Sequence, residues 1–194
     1  INELHKKHLT NVNSFLIIVG WLTIVISSAL ICKERFPAKK ELSRKIIHIG
    51  SGPIIPLAWW FHLSKEFTII LATTITIGLL INHKKRFIPA VEDVDRKSYG
   101  TIAYGVSITL LMIFFWPQQS AAVTAGVLVM AFGDGFAGLI GRQLKSKSWI
   151  FLQQRKSIAG TVTMAIVTGS VLFAITFITG EPIQPLKLFA ITSL

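Results

Sequence analysis

The chain has 194 residues, of which 52% are hydrophobic and only 15% charged, with a formal net charge of +11. Soluble domains carry about 25% charged residues. With a mean hydropathy of +0.61, this composition argues against a water-soluble enzyme, a disordered chain or, despite the basic balance, a nucleic-acid binder. The single Cys32 excludes an intramolecular disulfide framework and a multi-cysteine zinc site, which leaves an integral membrane protein with its positive charge in the loops.

The chain begins at Ile1 rather than Met and stops at Leu194 inside an apolar run. It is read as one integral-membrane domain over residues 1–194, trimmed at one or both ends or relieved of a targeting segment. A membrane helix needs roughly 20 apolar residues. Six stretches qualify, at about Ser14–Ile31, Ile46–Phe61, Phe67–Ile81, Thr101–Trp116, Ala121–Ile140 and Ile158–Thr179, and a seventh starts near Leu186. The expected fold is therefore all-α and polytopic, with six transmembrane helices, the start of a seventh, and short loops. The second stretch carries Gly50, Gly52, Pro53 and Pro56, which break helices, so a re-entrant segment is the alternative there.

Loop charge favours six spans. The first loop holds Lys33, Arg35, Lys39, Lys40, Arg44 and Lys45, and the third holds Lys84, Lys85, Arg86, Arg96 and Lys97. The fifth holds Arg142, Lys145, Lys147, Arg155 and Lys156, whereas the second, fourth and sixth have only Lys65 and Lys187. This alternation follows the positive-inside rule with the N-terminus outside and the basic loops cytoplasmic. Trp59, Trp60 and Trp116 then fall at the outer interface. The long charged loops make the cytoplasmic face the working face.

Asp134 alone among the acids lies well within an apolar span. An ionisable group at such depth is costly and marks a functional site unless a basic residue on a neighbouring helix pairs it. It lies seven residues before Gly141, ~10 Å along a helix from the cytoplasmic loop. Gly133, Gly135, Gly138 and Gly141 strip side chains from its surroundings, so another helix or a ligand can come close.

Each cytoplasmic loop ends in Arg-Lys as the next span begins, at Arg44-Lys45, Arg96-Lys97 and Arg155-Lys156. The last two continue as Ser98-Tyr99-Gly100-Thr101 and Ser157-Ile158-Ala159-Gly160-Thr161. A helix N-terminus offers free N–H groups, Ser can cap it, and Arg and Lys add charge, the ingredients of a phosphate site. The same pairs are also ordinary topology signals. A polyphosphate needs a hard divalent cation held by carboxylate oxygens. Asp134 is the first candidate ligand, and Glu92, Asp93 and Asp95 either share the metal or balance the basic loop. His48, one turn into the second span, suits a general base or a phosphate carrier, and equally a hydrogen-bonding helix residue. The chain has no P-loop, GxGxxG or GxSxG motif.

Taken in order, Arg44-Lys45-Ile46-Ile47-His48, Ser98-Tyr99-Gly100-Thr101, Gly133-Asp134-Gly135-Phe136-Ala137 with Gly141-Arg142, and Lys156-Ser157-Ile158-Ala159-Gly160-Thr161 resemble the polyprenol kinase family over about residues 41–170. That family holds the phytol, farnesol and dolichol kinases and the CTP-dependent diacylglycerol kinases, and the chain is most similar to its phytol kinase branch. The resemblance implies phosphoryl transfer from CTP or another nucleoside triphosphate to a prenyl alcohol drawn from the bilayer, with Mg²⁺. It also implies a bacterial membrane of cyanobacterial type or a plastid membrane, with the site facing cytoplasm or stroma. It puts Asp134 at the family's acidic metal or catalytic position, and Lys45, His48, Lys97, Lys156 and Ser157 at its basic and phosphate-side positions. Arg142, Ser98, Gly100, Thr101, Gly160 and Thr161 complete the expected phosphate-binding set. A phosphatidate cytidylyltransferase or a diacylglycerol kinase is the alternative enzyme. A small transporter is the alternative of another class, though it would want polar groups strung across the bilayer.

Overall fold

In a computed structural model of the chain, residues 2–38, 40–85, 87, 99–151 and 154–180 are described, with side chains over 13–38, 41–85, 87, 99–150 and 156–180. The described residues form helices α1 (Asn2–Arg35), α2 (Lys40–Ser51), α3 (Ile54–Trp60), α4 (Lys65–Lys85), α5 (Gly100–Phe115) and α6 (Ser120–Leu128). A π turn (Val129–Gly133) leads into α7 (Asp134–Gln143). Strands β1 (Ser148–Phe151) and β2 (Gln154–Ser157) follow, and then α8 (Ile158–Thr179). Among the described residues, four stretches are long and apolar enough to cross a membrane: Asn13–Arg35, Lys65–Lys85, Ser120–Gln143 and Ile158–Thr179. Gly100–Phe115 is a shorter apolar helix, and the seventh stretch predicted near Leu186 lies outside the described residues.

The chain divides into two compact units, Ile1–Thr124 and Ala125–Leu194. In the first, α1 packs on α2 through a narrow stripe. Ser14, Ile18, Val25 and Ala29 are buried, whereas Phe15, Leu16, Ile17 and Ile24 are exposed. A helix that is apolar all round but buried on one stripe suits a nonpolar solvent. Gly50 lets the two helices meet, since a Cβ there would lie 2.6 Å from a Val25 methyl. The Trp21 indole N–H donates to the Gly50 carbonyl at 2.7 Å.

The predicted span Ile46–Phe61 is not one helix. It divides at Gly52-Pro53 into the end of α2 and the short α3. Pro53 lacks an N–H and pushes its predecessor out of the helical region, so α2 stops before it. His62, with φ of 50°, closes α3 while its N–H bonds the Trp59 carbonyl at 3.0 Å. The turn buries Leu63, whose carbonyl accepts from the Trp116 indole N–H at 3.0 Å. Helices α4 and α5 are clasped by Thr76 and Thr109, whose hydroxyls share a hydrogen bond of 3.0 Å beside Gly105.

The second unit departs from the all-helical expectation. Ser148–Phe151 and Gln154–Ser157 pair antiparallel, with Trp149 opposite Lys156 and Ile150 opposite Arg155. The run Trp149-Ile150-Phe151 favours strand. The cations on both sides of it make the segment read as a loop.

Candidate active site

Asp134 stands where the π turn passes into α7. A π turn holds an extra residue, which rotates everything after it relative to the helix before it, and such turns recur at functional sites. From its last residue onward, Gly133, Ala137 and Gly141 follow at helical spacing and face α8. A Cβ on Gly133 would meet the Met164 sulfur at 2.6 Å. A Cβ on Gly160 would meet the Ala137 carbonyl oxygen at 3.0 Å, and one on Gly141 would lie 3.1 Å from the Gly160 Cα. The sequence allowed either a helix or a ligand beside these glycines, and at Gly133 and Gly141 the neighbour is a helix. Asp134, one residue round from this seam, is exposed. Burial by protein, which its place in an apolar span suggests, does not occur.

At the other end of the seam, Ser157 caps α8. Its Oγ accepts from the Gly160 N–H at 3.2 Å and donates to the Gly141 carbonyl at 3.0 Å. The capping role expected of this serine is therefore present. The Ile158 N–H bonds the Lys147 carbonyl at 3.0 Å, the Ala159 N–H bonds the Ser146 hydroxyl at 3.2 Å, and the Thr161 hydroxyl donates to the Ser157 carbonyl. The first amides of α8 are thus spent within the fold. Charge at this tip comes from the side chains of Arg142 and Lys156, both exposed and each next in sequence to the touching pair Gly141 and Ser157.

The remaining candidates lie in the first unit. Lys45 is buried at 6% exposure on α2. His48, one turn further on, has its ring 4.4 Å from that of Tyr104. Ser51 Oγ donates to the His48 carbonyl at 2.9 Å and lies 3.4 Å from the Tyr104 hydroxyl. The sequence gives no sign of Tyr104, because the contact joins residues on two separate helices. Gly100 and Thr101 open α5, exposed and half-buried respectively. Lys97, Ser98, Glu92, Asp93 and Asp95 lie outside the described residues.

Among the described residues no three His, Cys, Asp or Glu side chains form a metal-binding group. Mg²⁺ is commonly held by one or two carboxylates, with substrate phosphates and water completing its shell. Among the described residues, the exposed carboxylate of Asp134 is a donor of the kind Mg²⁺ takes together with phosphate and water.

The chain is 32% identical over 149 residues to the phytol kinase of Synechocystis, covering 76% of this chain and 64% of that protein. The chain is similar to phytol and farnesol kinases. It is 28% identical over 170 residues to the chloroplastic phytol kinase 1 of Arabidopsis thaliana, covering 81% of this chain and 55% of the relative. It is 27% identical over 138 residues to that plant's chloroplastic farnesol kinase, covering 65% and 44%. The chain thus spans from under half to just under two thirds of the length of these relatives. No family model matches it, and no solved structure does.

Proposed function

We propose that the protein is a membrane-embedded kinase that transfers a phosphoryl group from CTP, or another nucleoside triphosphate, to phytol or a related prenyl alcohol. The observation that carries this reading is Asp134. It is exposed to its surroundings in the middle of an apolar run of membrane-spanning length. An ionised carboxylate at such depth is costly and marks a functional site by default, because a polar partner, a ligand or a water-lined space must offset that cost. The relatives, named phytol and farnesol kinases, supply a substrate whose hydroxyl lies near the headgroups while its chain stays in lipid.

In the reaction the alcohol oxygen forms a bond to the γ-phosphorus, the bond from that phosphorus to the β-bridging oxygen breaks, and CDP leaves. Such transfers depend on positioning and charge neutralisation. Arg142 and Lys156 neutralise the phosphates at the joined ends of α7 and α8. Lys45 and Lys97 supply further positive charge in the first unit, where Ser98, Gly100 and Thr101 offer hydrogen bonds, and Ser157, Gly160 and Thr161 hold the tip's shape. Asp134 would hold Mg²⁺, or accepts a hydrogen bond from the alcohol. Bound Mg²⁺ would supply positive charge against the transferring phosphate. His48 takes the alcohol's proton, with Tyr104 against its ring. The topology we propose has six passes, the Gly52-Pro53 break lying within the second. The basic loops face cytoplasm or stroma in a bacterial or plastid membrane.

The test is a panel on protein reconstituted in lipid, with labelled CTP, ATP and UTP against phytol, farnesol and diacylglycerol, with and without Mg²⁺. The expected products are a prenyl monophosphate and CDP, much reduced in His48→Gln. Pyrophosphate release, or phosphatidate from diacylglycerol with no prenol product, would replace this reading with one of its alternatives.

A further inference from the structure

The hairpin β1–β2 joins two stretches, Ser120–Gln143 and Ile158–Thr179, that are each long and apolar enough to cross a membrane. Its base is fixed, because Ser157 is bonded to the Gly141 carbonyl and the amides of Ile158 and Ala159 to Lys147 and Ser146. From that base the hairpin presents large apolar side chains. Ile150 is 79% exposed, Leu144 58% and Trp149 47%. Around them lie exposed cations, Lys145 and Lys147. No Asp or Glu occurs anywhere between Gly135 and Gly180. A two-stranded hairpin is marginal in water, and these apolar groups would weaken it further unless something covered them.

We propose that this hairpin docks on anionic lipid headgroups of the bilayer that holds the protein. Ile150 enters the boundary between headgroups and acyl chains, which takes its apolar surface out of water. Lys145 and Lys147 meet the lipid phosphates. Charge complementarity selects this partner, since an uninterrupted basic segment repels a basic surface and attracts an acidic one. The inference rests on the membrane reading above but not on the kinase chemistry.

The test uses full-length protein with Cys32 replaced by Ser and one environment-sensitive label, on Ile150→Cys or on Ile166→Cys. Ile166 is 63% exposed in the middle of α8. The proteins are placed in nanodiscs of phosphatidylcholine alone or mixed with phosphatidylglycerol. Nitroxide lipids quench from the headgroup level or from deep in the acyl chains. The label at 166 should be quenched by the deep nitroxide in both discs. The label at 150 should be quenched by the shallow nitroxide in anionic discs, and much less in neutral discs or at high salt. Neutralising Lys145 or Lys147 to Gln should lower docking about fivefold for each charge.

Four results would overturn the proposal. Equal quenching at 150 in both lipid mixtures removes the anionic preference. CTP reproducing the anionic-lipid effect in neutral discs makes the segment a nucleotide contact instead. A shielded but unquenched label at 150, with 166 quenched normally, shows that protein covers the hairpin. An unquenched label at 166 removes the membrane reading itself.

Discussion

Replacing Gly141 by alanine should force α7 and α8 apart. The added Cβ would lie 2.7 Å from Ser157 Oγ, 3.1 Å from the Gly160 Cα and 3.4 Å from the Gly160 nitrogen. Two of these three atoms are backbone, so no rotamer change relieves the contact. Overpacking of this kind costs about 1–3 kcal/mol. Displacing Ser157 also weakens its hydrogen bond to the Gly141 carbonyl, for about 1 kcal/mol more. Alanine's better helix propensity returns about 1 kcal/mol. The net expectation is a loss of about 1–3 kcal/mol, or roughly 3–10 °C in melting temperature for a chain of this size. Thermal unfolding of the purified protein in detergent measures it. Two controls sharpen the result. A Cβ on Gly78 meets nothing within 4 Å, so Gly78→Ala should leave the melting temperature level or raise it. Gly133→Ala meets the Met164 sulfur and methyl, the movable end of a flexible side chain, and should cost less than Gly141→Ala. If Gly141→Ala melts with the wild type, or below it by no more than Gly78→Ala does, the close crossing of α7 and α8 is wrong.

Ser157→Ala should cost about 1–2 kcal/mol by removing a helix cap, and Ser157→Thr should restore part of it, both read by the same unfolding assay. Trp116→Phe removes part of a fully buried ring and leaves the buried Leu63 carbonyl without its indole donor, so a loss of at least about 1–3 kcal/mol is expected from chemical or thermal denaturation.

Much of the second unit is legible in the sequence. A serine three residues before a glycine, at the start of an apolar run, marks the Ser157 cap. Glycines spaced along the run ending at Gly141 mark a close approach. What fills that approach is not legible, since Met164 and Gly160 stand on another helix. The hydrogen bonds that close the tip of α8 come from Ser146 and Lys147, across a hairpin whose strands are four residues each and crowded with cations. The helix break in the second span was visible as Gly52-Pro53, but the alternation of loop charge outweighed it. Charge reports which side a loop takes and not whether the segment between two loops is one straight helix. Asp134 was found by its isolation in an apolar run, whereas the face it takes depends on a π turn that no residue pattern announces.

The central claim is that Asp134 carries phosphoryl transfer to a prenyl alcohol. The most direct measurement is the activity of Asp134→Asn in reconstituted membranes with labelled CTP, Mg²⁺ and phytol, beside its melting temperature. Asparagine keeps the size of the side chain, so the variant should fold, and the melting temperature separates a folding defect from a catalytic one. Prenyl phosphate formation should fall on the order of a hundredfold or more. A variant that folds normally and makes product at the wild-type rate would contradict the account.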